Sequence, residues 1–214
     1  MILLNGFLTA DAAKTLEAQV RDGPYKSVVT HFQPEPTPLN DESLDQAARE
    51  TAEDALKSGI ETYRRLIQPS RLAALAGPSF LRFLDGMSLG FAPVPALRDL
   101  NPVAQSGIRC DALLHIRLSA PDQYTGGDIQ VTSSDRASQR FTLGQGDAVL
   151  FDWEDIFSIR VVHRGPLLHM LAFLQYRSRA DSLTATAPLA EAAGSQNPDI
   201  AADARRLLGK IETL

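Results

Sequence analysis

Between Arg109 and Leu118 the chain alternates two sets of side chains at the period of a β-strand (RCDALLHIRL). Arg109, Asp111, Leu113, His115 and Arg117 fall on one face. Ala112, Leu114, Ile116 and Leu118 fall on the other and are expected to pack against helix or sheet. The first face mixes apolar and ionisable groups. If it turns inward, a buried guanidinium and a buried imidazole each need a partner. Such a segment belongs in the middle of a sheet, and Tyr124-Thr125-Gly126-Gly127-Asp128 just behind it reads as the turn that follows.

The residues around it build the same picture. Phe80–84, Asp128–131, Gln139–143, Ala148–151, Phe157–162 and Leu167–176 are short, rich in Val, Ile, Leu and Phe, and bounded by Gly, Pro, Asp or Ser. Many short strands at close spacing predict a sandwich or barrel of jelly-roll type. Ahead of them lie a short strand over 2–7 and a helix over about 10–22 capped by Thr9. Gln33–Asn40 follows with three prolines and reads as a loop, then a longer helix runs over about 42–67 with Gly59 as a weak point. Arg71–Ala76 reads as one further helical turn. A last helix is expected from Asn197-Pro198, with Ile200, Ala204, Leu207, Leu208 and Ile211 on one side. The fold class expected is α+β, a double-stranded β-helix with flanking N-terminal and C-terminal helices. Residues 1–180 form the domain, and 181–214 a loop and helix packed on it.

Composition narrows the function classes. The 214 residues carry 44% hydrophobic and 22% charged side chains and a net charge of −5, without charge blocks. That argues against nucleic-acid and anionic-membrane partners. No stretch approaches the roughly 20 apolar residues of a membrane span. The single cysteine, Cys110, excludes an internal disulfide and suits a cytoplasmic location. It reads as a small buried hydrophobe. No Walker or Rossmann glycine loop and no nucleophile–base spacing occurs.

Five segments in order carry a family likeness. They are Gly86-Met87-Ser88-Leu89-Gly90, Arg109-x-Asp111, Pro121-Asp122-x-Tyr124-x-Gly126-Gly127-Asp128, Gly146–Phe151 (GDAVLF) and Arg164-Gly165 before an apolar strand. In these the chain resembles the PKHD-type hydroxylases, prolyl-hydroxylase-like members of the iron(II)/2-oxoglutarate oxygenases, over about residues 86–178. The resemblance implies a jelly-roll core and a facial triad of two histidines and one carboxylate, which leaves iron positions open for oxygen and co-substrate.

Counted without gaps from those segments, the family's first His and its Asp fall on Ala92 and Val94, and its second His on Phe157. The Arg that pairs with 2-oxoglutarate falls on Leu167. None of these side chains ligates a metal or pairs with a carboxylate. No histidine here is followed two residues later by Asp or Glu. The expectation is therefore no metal and no cofactor, with iron(II) and 2-oxoglutarate retained only under an alternative reading with unfamiliar ligands.

In their place, Arg117, His115 and His169 are expected to converge on the family's co-substrate position. His115 and His169 are the candidate acid/base pair. Arg117, Asp111 and Trp153 are the candidate ligand-binding residues. The partner of Arg117 is either Asp111 or Asp152, or else a bound anionic molecule. The leading functional reading is metal-independent binding or non-redox conversion of a small anionic molecule. Beside it stands a non-catalytic subunit that pairs with and stabilises an active relative, and a homo- or hetero-dimer is the expected assembly. A relocated metal site from His115, His169 and Asp111, and His163 as a hairpin-surface residue, complete the readings.

Overall fold

The computed structural model describes residues 1–30, 33–40, 46–94, 109–132 and 138–177, with side chains described outside 27–40. The expected C-terminal helix, the first residues of the long helix and the Gly107-Ile108 start of the central strand lie outside these residues.

The chain opens with β1 (Ile2–Leu4) and α1 (Ala10–Val20), then β2 (Tyr25–Thr30), β3 (Gln33–Asn40), α2 (Gln46–Thr62) and the single turn α3 (Arg64–Ile67). The remainder is strand: β4 (Leu72–Phe83), β5 (Leu89–Pro93), β6 (Ala112–Arg117), β7 (Thr125–Gly126), β8 (Ile129–Thr132), β9 (Ser138–Phe141), β10 (Ala148–Asp152), β11 (Ile156–Ile159), β12 (Val162–Arg164) and β13 (Leu167–Tyr176). A seven-stranded sheet runs β1-β10-β6-β13-β4-β3-β2, and a four-stranded sheet runs β5-β11-β8-β9. A small ribbon pairs β12 with β7. The α+β jelly-roll expected from the strand spacing is the fold observed.

Two cores explain the alternation of β6. Ala112, Leu114 and Ile116 join Leu16, Val20, Ala52, Leu56 and Phe80 in the layer between the large sheet and the helices. Leu113 joins Phe83, Ala92, Phe151, Phe157 and Leu171 in the layer between the two sheets. Both faces are covered, so all six residues of β6 are buried. This also fixes the register, since a slip by one residue would exchange the two faces.

The helices follow from local chemistry. Thr9 Oγ1 accepts from the Ala12 amide and caps α1 as expected. Gly59 is no weak point. A Cβ there would lie 2.6 Å from the Phe7 ring, so the bare glycine lets α2 approach the segment after β1. The long helix expected through Ile67 breaks at Tyr63, whose hydroxyl donates to the Asn5 carbonyl.

Two further expectations are corrected. Gln33–Asn40 is a strand, not a loop. Its prolines fall at every second position, so the missing amide donors all belong to one edge, and the opposite edge keeps a full set for pairing. Tyr25–Thr30, unassigned from sequence, is its partner strand. Arg71–Ala76 is not a helical turn. A 3-10 turn ends at Arg71, and β4 begins at Leu72 because the ten-residue β13 offers it a paired edge. No helix among the described residues is long and apolar enough to cross a membrane.

Candidate functional site

β6 and β13 are adjacent and antiparallel, with His169 opposite Arg117 and Leu171 opposite His115. Residues 115, 117, 169 and 171 therefore share the face that looks between the sheets. His115 Nε2 and His169 Nδ1 are in hydrogen-bond contact, which joins the rings. Aromatic rings enclose the pair. Phe157 lies 5.5 Å and Phe151 6.1 Å from the His115 ring, and Phe83 lies 5.8 Å from the His169 ring. Burial pushes the His115 imidazole down to about 3, and the positive charge of Arg117 acts in the same direction. His169 is held well below the ordinary histidine value by burial, then by Arg117 and His115. Both rings are neutral.

Arg117 has no solvent exposure. Its guanidinium stands 4.6 Å from the centre of the Tyr124 ring, and Nη2 donates to the Gly127 carbonyl at 3.4 Å. Burial lowers its pKa to about 10, while Tyr124, Asp128 and Asp147 push the other way. It remains charged. Its Nε and Nη1 find no hydrogen-bond partner among the described residues, and neither do His115 Nδ1, His169 Nε2 and Tyr124 Oη. Each such buried atom costs about 1–3 kcal/mol when left unmade. Together that approaches the whole stability of a domain, about 5–15 kcal/mol. So dense a cluster requires something that hydrogen-bonds to it.

The cluster adjoins the positions counted from the family's segments. Ala92 and Phe157 are register partners on β5 and β11, so these counted positions do meet in space. Ala92, Val94, Phe157 and Leu167 are all buried. Phe157 stacks on Phe151 at 4.5 Å and also packs on His115. A Cβ added to Gly127 would collide with the end of Leu167, and Gly127 is the residue that Arg117 bonds. The Arg117 guanidinium thus reaches, from β6, the neighbourhood of the side chain on β13 where the counted Arg is missing.

The other sequence candidates lie apart from this cluster. Asp111 is engaged by Arg109, at 2.6 Å from Nε and 2.7 Å from Nη2, and accepts from the Tyr176 amide. It stands six residues along the strand from Arg117, about 20 Å at strand rise. Neither Asp111 nor Asp152 partners Arg117, because Asp152 is opposite Ala112 at that same far end. Trp153 follows Asp152 in the β10–β11 turn, half-buried and distant from the guanidinium. His163 is exposed on β12, as expected of a hairpin-surface residue. Sequence reasoning overlooked Tyr124 as a site residue. Its signal was its place in the Tyr-Thr-Gly-Gly turn.

A groove of about 520 Å³ opens on the outer side of that turn, lined among others by Gly126, Asp128, Arg140 and His163. Gly126 and Asp128, which line it, flank Gly127, whose carbonyl accepts from Arg117.

The donor set of these residues does not fit an iron centre. No group of three or more His, Cys, Asp or Glu side chains converges among the described residues. His115 and His169 give two nitrogens turned toward each other, beside a cation that opposes a metal ion. The described residues do not compose a facial triad.

No family model matches the chain. A PKHD-type hydroxylase of Stutzerimonas stutzeri is 27% identical over 138 residues, 64% of this chain and 60% of the relative. The chain thus spans less than two thirds of the length of that curated relative. A prolyl-4-hydroxylase of Pseudomonas putida superposes with a TM-score of 0.57 at 16% identity, covering 82% of this chain and 92% of that one. An oxidoreductase of the 2OG-Fe(II) oxygenase family from Burkholderia pseudomallei gives a TM-score of 0.56 at 13% identity, covering 75% and 77%. These relatives overturn the expectation of no cofactor. They are hydroxylases and 2OG-Fe(II) oxygenases, and apolar residues at positions found by counting are no proof that iron or 2-oxoglutarate has been lost. In sequence the chain resembles the PKHD-type hydroxylases, and its fold is that of the 2-oxoglutarate oxygenases.

Proposed function

We propose that this oxygenase-fold protein binds a small carboxylate between its two sheets, with Arg117 as the anchor. The observation that carries the reading is the group of unpartnered polar atoms on Arg117, His115, His169 and Tyr124, all buried and all on one side of β6 and β13. A buried guanidinium that makes no ion pair among the described residues, with Asp128 and Asp147 acting on it only from further off, is the chemistry that takes an anion from water. The anchor arises from β6, whereas the family's count places it on β13 at Leu167. 2-Oxoglutarate is the first carboxylate to consider, because the relatives are hydroxylases of that class.

The test is a thermal-shift and calorimetric series on the purified chain with propionate, succinate and 2-oxoglutarate, each with and without iron(II) in the absence of oxygen. Carboxylates are expected to raise the melting temperature of the protein and to leave Arg117→Met unmoved. If no carboxylate shifts the parent protein, water alone satisfies the cluster and the reading fails. A further gain from iron(II) with 2-oxoglutarate alone would identify the relatives' cofactor pair at this site.

A further inference from the structure

The His115–His169 pair has no task in the reading above. Each ring spends one nitrogen on the other, and each second nitrogen, His115 Nδ1 and His169 Nε2, is buried without a partner among the described residues. A neutral pair holds two ring protons on four nitrogens. One proton lies between the rings. One outer nitrogen therefore carries the other proton, and the opposite outer nitrogen presents a bare lone pair. Such a pair can donate a hydrogen bond at one end and accept a proton at the other.

Its surroundings are sparse in charge. The rings face Phe83 from β4, Phe151 from β10 and Phe157 from β11. Arg117 is the one charged side chain that acts on both, and Tyr124, Asp128 and Asp147 act on that guanidinium. A dry interior tolerates little net charge. A singly charged anion on Arg117 neutralises the site. A doubly charged one leaves a negative charge over, beside the His169 ring that stands opposite Arg117. An imidazole pair that gains a proton titrates as a unit and supplies the missing positive charge.

Resting on the Arg117 reading, we infer that His115–His169 is a proton-accepting second anchor: a small dianion enters the site with uptake of one proton onto the pair, and a monoanion enters with none. His169 is the positioning residue that meets the second acid group, and His115 holds the added proton. Arg117 repels a proton from both rings in the ligand-free protein, and an anion on the guanidinium removes that repulsion.

The experiment is calorimetric titration of the whole chain with succinate and with propionate, in buffers of differing ionisation enthalpy, at about pH 6.5–8.5 where both ligands are ionised. One proton per succinate and none per propionate is expected. The succinate Kd should fall as pH is lowered, by up to tenfold for each pH unit, while the propionate Kd stays flat. His115→Gln keeps a hydrogen-bonding amide but cannot take the proton, so it should lose the proton uptake and the pH slope, whereas His169→Gln leaves His115 in place and should weaken succinate more than propionate. Propionate binding with no proton uptake for succinate overturns the inference and leaves the Arg117 reading standing. Uptake that survives His115→Gln places the proton elsewhere and also overturns it. Binding of neither acid overturns the Arg117 reading, and the inference with it.

Discussion

Arg117 on β6 stands directly opposite His169 on β13, so a guanidinium and an imidazole share one buried rung of the seven-stranded sheet. Neither makes an ion pair with a carboxylate among the described residues, although Asp128 and Asp147 act on the guanidinium from further off. Two groups that compete for protons and attract anions are thus held in an apolar layer, with their remaining hydrogen-bond capacity unused. Such an arrangement costs stability unless a ligand or water completes it.

Replacing Arg117 by Met removes the buried cation and keeps most of its volume. Arg117→Met is expected to be stabilising by about 1–3 kcal/mol in ligand-free protein, since unmade hydrogen bonds are removed. Urea unfolding at neutral pH measures this. A destabilisation of that size would show that the guanidinium is a structural tie through Tyr124 and Gly127.

The histidine pair makes stability depend on pH in one direction. Folded, His115 titrates at about 3 and His169 well below the usual value, both driven down first by burial. Unfolded, both titrate at about 6.5. Above that value neither state binds the proton and nothing is lost. As pH falls through 6.5 towards 3, the unfolded chain takes up protons that the folded one refuses, and stability drops. Between pH 7.5 and 5.5 the pair should account for a loss of about 3 kcal/mol. His115→Phe/His169→Phe should remove most of that difference in urea unfolding at the two pH values. An unchanged loss would locate the titration elsewhere.

Phe157 fills the space between the sheets, stacked on Phe151 and packed on His115. Truncation to Ala should cost about 3–5 kcal/mol by transfer and cavity terms. A loss below about 1 kcal/mol in denaturant unfolding would mean that the interior beside His115 already admits water.

The turn over Arg117 offers a paired comparison. Gly126 and Gly127 have φ of +79° and +69°, in the left-handed region. A Cβ on Gly126 meets the Val161 backbone oxygen, whereas one on Gly127 meets the end of the Leu167 side chain. Gly126→Ala should therefore destabilise more than Gly127→Ala, because a side chain can turn aside and a hydrogen-bonded backbone carbonyl cannot. Thermal melts of the two variants, with equal shifts as the contrary result, check the order.

Much of this was legible in the residues. The alternation through Leu113, Leu114, His115 and Ile116 placed each side chain in its layer, and Thr9 capped its helix. The Gln33–Asn40 strand was hidden because its prolines suggest a loop until a neighbour supplies an edge that needs none of the missing donors. Asp111 looked like a partner for Arg117 because both lie on one face. A strand face is long, however, and Asp111 is spent on Arg109 at its far end.

By itself the sequence determined the class of fold and the sidedness of β6, because strand period and burial on two faces are local properties of composition and spacing. It also supplied the family resemblance and the four apolar residues at the counted positions. Tertiary structure alone decided which groups meet. The antiparallel register of β13 on β6 sets His169 against Arg117 and brings its ring to His115, while β11 on β5 sets Phe157 against Ala92. Contacts between residues more than fifty positions apart depend on strand order and register, and those follow from how the whole sheet closes over its core.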